Sequence, residues 1–193
     1  MLPDSVLSSE VVDAPFLFPR NITRRPLRDY EYGGRAIQDP SFGLKDRVWT
    51  GDYIDGAVVL AAPGVAPTEV LELANIEQFS FTFDQNMQPF VAYQLENGTA
   101  AFYWYDSTAP GFVTTTLTTG SYDPRCSLDD KRPLQTGNSD IILAYCRAGS
   151  LYMRVQRDRY ETEYELADDI EQRELIQIGM NVRLRFQFQL STG

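Results

Sequence analysis

The sequence predicts an all-β protein of repeated antiparallel hairpins, propeller-blade-like or packed as a sandwich, with an extended N-terminal arm. Two observations carry this. One β-unit is written twice between Phe79 and Leu166, with a shorter echo upstream. Short strands rich in aromatic and β-branched residues also alternate with Gly, Asn and Asp turns throughout.

The echo comes first: Arg47-Val48-Trp49-Thr50, a turn at Asp55-Gly56, then Ala57-Val58-Val59-Leu60. In the second unit Phe81-Thr82-Phe83-Asp84 precedes Val91-Ala92-Tyr93, a turn at Glu96-Asn97-Gly98, and Ala101-Phe102-Tyr103-Trp104-Tyr105. The third has Cys126-Ser127-Leu128-Asp129, Leu143-Ala144-Tyr145, a turn at Arg147-Ala148-Gly149, and Leu151-Tyr152-Met153-Arg154. These give units at about 46–72, 79–118 and 124–166. Asp55-Gly56 and Asn97-Gly98 are two-residue hairpin signals, in which both turn positions take positive φ. Tyr160, Thr162 and Tyr164 alternate with Glu161, Glu163 and Glu165, which reads as a strand with one wet face or as one rung of a charge ladder with Arg154, Arg157 and Arg159. Ala167 to Gln177 reads as a helix capped by Asp168. Beyond Gly179, Val182, Leu184, Phe186, Phe188 and Leu190 alternate with Arg183, Arg185, Gln187 and Gln189, the pattern of a strand that buries one face. A closed propeller needs about four blades, so three units leave open edges that favour association.

Residues 1–45 differ. Pro3, Pro15, Pro19, Pro26 and Pro40 exclude a long helix, and the apolar pieces are too scattered for a core. The segment is either a free tail or an arm lying along a neighbouring copy. Phe16 and Phe18 favour the arm, because an exposed Phe-Leu-Phe is a liability in a tail. Arg20, Arg24, Arg25 and Arg28 form a basic cluster suited to an acidic patch on another copy. With Arg183 and Arg185 of the last strand, these residues make the expected inter-subunit contact.

The 193 residues suffice for a substantial core, and no apolar run is long enough to span a membrane. Met1-Leu2-Pro3-Asp4 has no secretory pattern, so cytoplasmic synthesis is expected, with Cys126 and Cys146 as reduced, buried thiols. Seventeen basic against 27 acidic residues, net charge −10, oppose direct nucleic-acid binding. Histidine is absent, which removes the His-based nucleophile arrangements and most zinc sites; no phosphate loop or calcium pattern occurs. Leu128-Asp129-Asp130-Lys131 sits where a sialidase box would, without its Gly and Trp. No enzymatic activity and no cofactor are expected. Trp49, Tyr103 and Trp104 remain as rings that are either core or platforms for sugars.

The run from Phe83 to Ala92 resembles virion structural proteins of tailed bacteriophages. So do Asp129-Asp130-Lys131-Arg132-Pro133, Ser139 to Tyr145, and Gln156-Arg157-Asp158-Arg159-Tyr160. The resemblance covers Gly43 to about Leu190; its motifs are idiosyncratic rather than chemical. It implies a non-enzymatic virion component at the tail or collar, an adaptor that attaches fibres and packs against copies of itself and other tail proteins. A glycan-binding module at the tail tip is the alternative.

Overall fold

A computed structural model describes residues 32–39, 45–129, 139–170, 173–180 and 186–192. Three four-stranded antiparallel sheets follow one another in the chain, each with its strands in sequence order. The first contains β1 (Tyr32–Asp39), β2 (Lys45–Ile54), β3 (Ala57–Ala62) and β4 (Val65–Glu72). The second contains β5 (Ile76–Phe83), β6 (Pro89–Leu95), β7 (Ala100–Asp106) and β8 (Gly111–Thr116). The third contains β9 (Ser121–Asp129), β10 (Asp140–Arg147), β11 (Ser150–Val155) and β12 (Tyr164–Ala167). A two-stranded sheet of β13 (Arg173–Met180) and β14 (Phe186–Thr192) follows. This is the repeated-hairpin, all-β architecture expected, and each four-stranded meander has the form of a propeller blade.

The sheets stack face to face, because alternation along the inner strands sends apolar side chains to both faces. Phe79, Phe81, Phe83, Val91 and Tyr93 of the second sheet pack on Trp49, Val58 and Leu60 of the first. Its opposite face, with Phe90, Ala92, Phe102 and Trp104, packs on Cys126, Leu128, Ile141, Leu143 and Tyr145 of the third. The far face of the third sheet, including Ile142, Ala144, Cys146 and Val155, meets Leu175 and Ile178 of β13. Each fully buried ring such as Phe102 contributes about 2–3 kcal/mol of transfer free energy. Gly51 permits a close approach between the first two sheets. A Cβ there would lie 2.8 Å from the Phe81 ring and 3.0 Å from Leu60.

The turns follow local chemistry. Asp55 and Gly56 take φ of 51° and 84°, and Ala148 and Gly149 take 48° and 79°, the pair of left-handed residues that a two-residue hairpin demands. Asn97-Gly98 departs from that expectation, since only Gly98 has positive φ, at 81°. Asn97 instead accepts a bond from the Thr99 N–H at 3.0 Å, and a longer loop results.

Three further expectations change. Tyr32–Asp39, read within the arm, forms β1 and pairs with β2. Among the described residues from Ala167 to Gln177 no helix forms: β12 ends at Ala167, and Arg173 to Gln177 belong to β13. A bulge between Leu175 and Gln177 spaces the buried Leu175 and Ile178 by three residues, which imitates a helical period. Tyr160 to Thr162 form no strand. The chain makes a 3₁₀ turn at Gln156–Asp158, and Arg159 and Tyr160 both take left-handed φ, 57° and 61°. That reversal drives Tyr160 inward, where its ring lies 5.3 Å from Phe90, 5.1 Å from Phe102 and 5.1 Å from Trp104.

Candidate functional site

Polar side chains gather at three places, and the geometry of each decides what it can do. At the first strands of the sheets, Arg125 of β9 donates to the Ile176 carbonyl at 2.9 Å and to Gln78 Oε1 at 2.7 Å. Gln78 donates to Asp123 Oδ1 at 3.0 Å, and Asp123 Oδ2 accepts from the Leu175 N–H at 3.2 Å. Gln78, Asp123 and Arg125 are buried, yet each is hydrogen-bonded. The network ties the second sheet, the third sheet and β13 together, and its saturated bonds suit a structural staple.

The second cluster stands at the outer end of the third sheet. Glu163 bridges Arg147 of β10 and Arg154 of β11. Arg147 Nη1 donates to Glu163 Oε2 at 2.8 Å, and Arg154 Nη2 lies 3.3 Å from the same oxygen. Tyr145 Oη also donates to Glu163 and accepts from Arg154 Nε at 3.0 Å. The Arg147 guanidinium lies 4.3 Å over the Tyr152 ring. Hydrogen bonding from Arg147 holds the Glu163 carboxyl down at about 2, and burial, reinforced by Glu163, pushes the Tyr145 hydroxyl up to about 12. Neither group changes protonation near neutrality, and the charged cluster clamps the loop carrying Glu163 onto β10 and β11. Arg157 pairs with Asp140 at 2.9 Å and Arg159 with Asp106 at 2.5 Å. Arg154, Arg157 and Arg159 thus tie loops to strands, rather than pairing with a carboxylate row on one strand.

The third place is a crevice lined by Asp84, Gln88, Phe90, Tyr105, Gln156 and Tyr160, among others. Its interior leaves no room for even a water-sized sphere, so it is not a cavity of the size that small-molecule pockets have. The buried Tyr160 hydroxyl has no hydrogen-bond partner, and burial raises its pKa well above the ordinary value. Among the described residues, no three His, Cys, Asp or Glu side chains come together as a metal site. Cys126 and Cys146 form no disulfide and are buried on opposite faces of the third sheet. Burial raises the Cys146 thiol to about 12.

Of the residues singled out in the sequence, Phe16, Phe18, Arg20, Arg24, Arg25, Arg28, Arg183 and Arg185 lie outside the described residues. Trp49 and Trp104 are 9% and 7% exposed and belong to the two inter-sheet cores. Trp104 Nε1 donates to Thr115 Oγ1 at 3.1 Å, so neither indole offers a platform. Tyr103 is half-buried, and its ring stacks on Phe112 with centroids 4.9 Å apart. Tyr105 meets Phe112 edge-on at 5.3 Å.

Sequence reasoning missed Phe112, which is 41% exposed, and the strand that carries it. The signal was present, since no charged residue occurs between Asp106 and Asp123 in this acidic chain. The strand β8 within that run is an edge strand with exposed Phe112, Val113, Thr114 and Thr116. These features define the class: an all-β repeat protein whose most distinctive surface is an aromatic, uncharged sheet edge. No family model, curated protein or solved structure matches the chain.

Proposed function

We propose that this chain is a non-enzymatic structural subunit acting by packing against copies of itself and other proteins. The observation that carries it is the open-ended stack. Three four-stranded sheets are followed by a two-stranded one, and outer strands end in edges with no partner among the described residues. The polar clusters support the same reading, since each is saturated within the chain or too small for a substrate. The resemblance of Phe83 to Ala92 and of Gln156 to Tyr160 to tail-associated phage proteins extends the proposal. The subunit would be a virion component made in the host cytoplasm, at the tail or collar, that attaches fibres. The arm residues Phe16 to Arg28 and the last strand with Arg183 and Arg185 would supply inter-subunit contact.

Light scattering on the full chain, beside a version lacking Met1 to Arg28, tests this. A defined oligomer that loses mass on truncation, with an unchanged far-UV spectrum, is expected. A full-length chain that stays monomeric, or a truncated form that enters particles as well as the full chain, overturns it.

One observation favours a second reading, a glycan-binding module at the tail tip. Tyr103, Tyr105 and Phe112 form an aromatic patch at the surface of the second sheet. Phe112→Ala would then abolish binding to host-surface glycans without unfolding the protein; unchanged binding removes this reading.

A further inference from the structure

The edge of the second sheet differs from its two counterparts. The edge strand β4 of the first sheet carries Pro67, Glu69 and Glu72, and two register shifts break its pairing with β3. The edge strand β12 of the third sheet has only four residues, includes Glu165, and is flanked by Glu163 and Asp168. Proline, charge, shortness and bulges are the devices that keep sheet edges from pairing with other chains. The edge strand β8 has none of them. It runs six residues in unbroken register with β7, and contains only Gly, Phe, Val and Thr.

The hydrogen-bond phase of β8 identifies the groups it offers. The Leu117 N–H donates to the Ala100 carbonyl at 2.9 Å, and antiparallel pairing alternates from there. Thr115 and Val113 therefore turn their backbone groups toward β7. Phe112, Thr114 and Thr116 direct theirs outward. Beside them lie the exposed Phe112 and Val113, at 41% and 36%.

We infer that β8 is a self-association edge, pairing antiparallel with β8 of a second copy across a two-fold axis at Thr114. The charge pattern selects this occupant. Two copies each carrying a net charge of −10 repel over most of their surface, and the run between Asp106 and Asp123 lets their backbones meet without opposing carboxylates. The symmetry fits as well, because the outward triplet is centred on Thr114. Thr114 then faces its own equivalent, and Phe112 faces the partner's Thr116, so every outward backbone group of the triplet finds a complement. Phe112 extends the Tyr103 and Tyr105 rings to the seam, and the two second sheets become one continuous eight-stranded sheet. This inference rests on the assembly reading above and adds the surface and the register.

Cysteine cross-linking of the full chain tests the register directly. Opposed residues in a hydrogen-bonded antiparallel pair have Cα atoms about 5.5 Å apart, within disulfide reach. Thr114→Cys is expected to form a disulfide-linked dimer under oxidised glutathione, at least tenfold faster than Val113→Cys, whose side chain lies on the other face. Thr114→Lys and Thr114→Glu place like charges across the axis. Each is expected to weaken dimerisation at least tenfold, and mixing the two restores it. The restoration shows that both variants fold. An oligomer that survives both substitutions and gives no Thr114 cross-link overturns the edge while leaving the assembly reading intact. A full-length chain that is monomeric at every concentration overturns both.

Discussion

The second and third sheets share one meander but close their outer halves by opposite means. The second uses rings and hydroxyls: Phe112 stacks on Tyr103 and meets Tyr105 edge-on, Trp104 bonds Thr115, and β8 carries no charge. The third uses ions: Arg147 and Arg154 converge on Glu163, and the short β12 is bordered by carboxylates. Aromatic packing leaves an edge that another chain can join, whereas a charged, short edge discourages joining. One topology therefore supports both an insulated end and an open one.

The residue joining the two sheets gives the largest expected effect. Tyr160 comes from the third sheet's loop and packs among Phe90, Phe102 and Trp104 of the second. Tyr160→Ala should lower unfolding free energy by about 3–5 kcal/mol in urea titrations. Tyr160→Phe should be neutral or slightly stabilising, because the buried hydroxyl has no partner to lose. A large loss on Tyr160→Phe would mean that the hydroxyl is satisfied.

Next comes the ionic end. Glu163→Gln should cost about 1–2 kcal/mol at pH 7, discounted for partial solvent screening. The folded carboxyl sits near 2 against an ordinary 4.5, so its stabilisation is complete above pH 4.5 and fades as pH falls toward 2. The gap between the native chain and Glu163→Gln should therefore narrow between pH 4.5 and 2. A gap that stays constant on acidification would contradict the clamp.

The aromatic end should respond more weakly in the folded monomer. Phe112→Ala removes a side chain that is already 41% exposed, with an expected cost below about 1 kcal/mol. Its consequence belongs in association measurements. Smallest is the turn of the third sheet, where Ala148 holds φ of 48°. Ala148→Asn should raise stability by about 0.5 kcal/mol, read as a small increase in melting temperature, because Asn tolerates left-handed backbone.

Much of the architecture was legible because β-patterning repeats locally. Alternation in Leu151, Met153 and Val155 against Tyr152 and Arg154 marks β11, and Asp55-Gly56 marks the turn between β2 and β3, without reference to the rest of the fold. The failures arise where a local period is altered by something distant. The bulge at Leu175 and Gln177 gives a strand the spacing of a helix. Left-handed Arg159 and Tyr160 break a perfect alternation, because Tyr160 is needed inside the neighbouring sheet. Trp104 and Trp49 illustrate a further ambiguity. Alternation tells which residues share a face, but not that both faces of the second sheet are covered. The edge was hidden for a different reason: what distinguishes it is a lack of charge, noticeable only beside the better protected β4 and β12.

The two cysteines give the stack its own pair of reporters. Cys126 is sealed between the second and third sheets, and Cys146 between the third sheet and β13. Alkylation of one thiol therefore records the parting of one seam, and alkylation of the other records the parting of its neighbour. Timed labelling followed by peptide mass mapping would order these openings within the same molecule, with no probe introduced. The native sequence thus carries the means to learn whether its sheets peel away singly or come apart together.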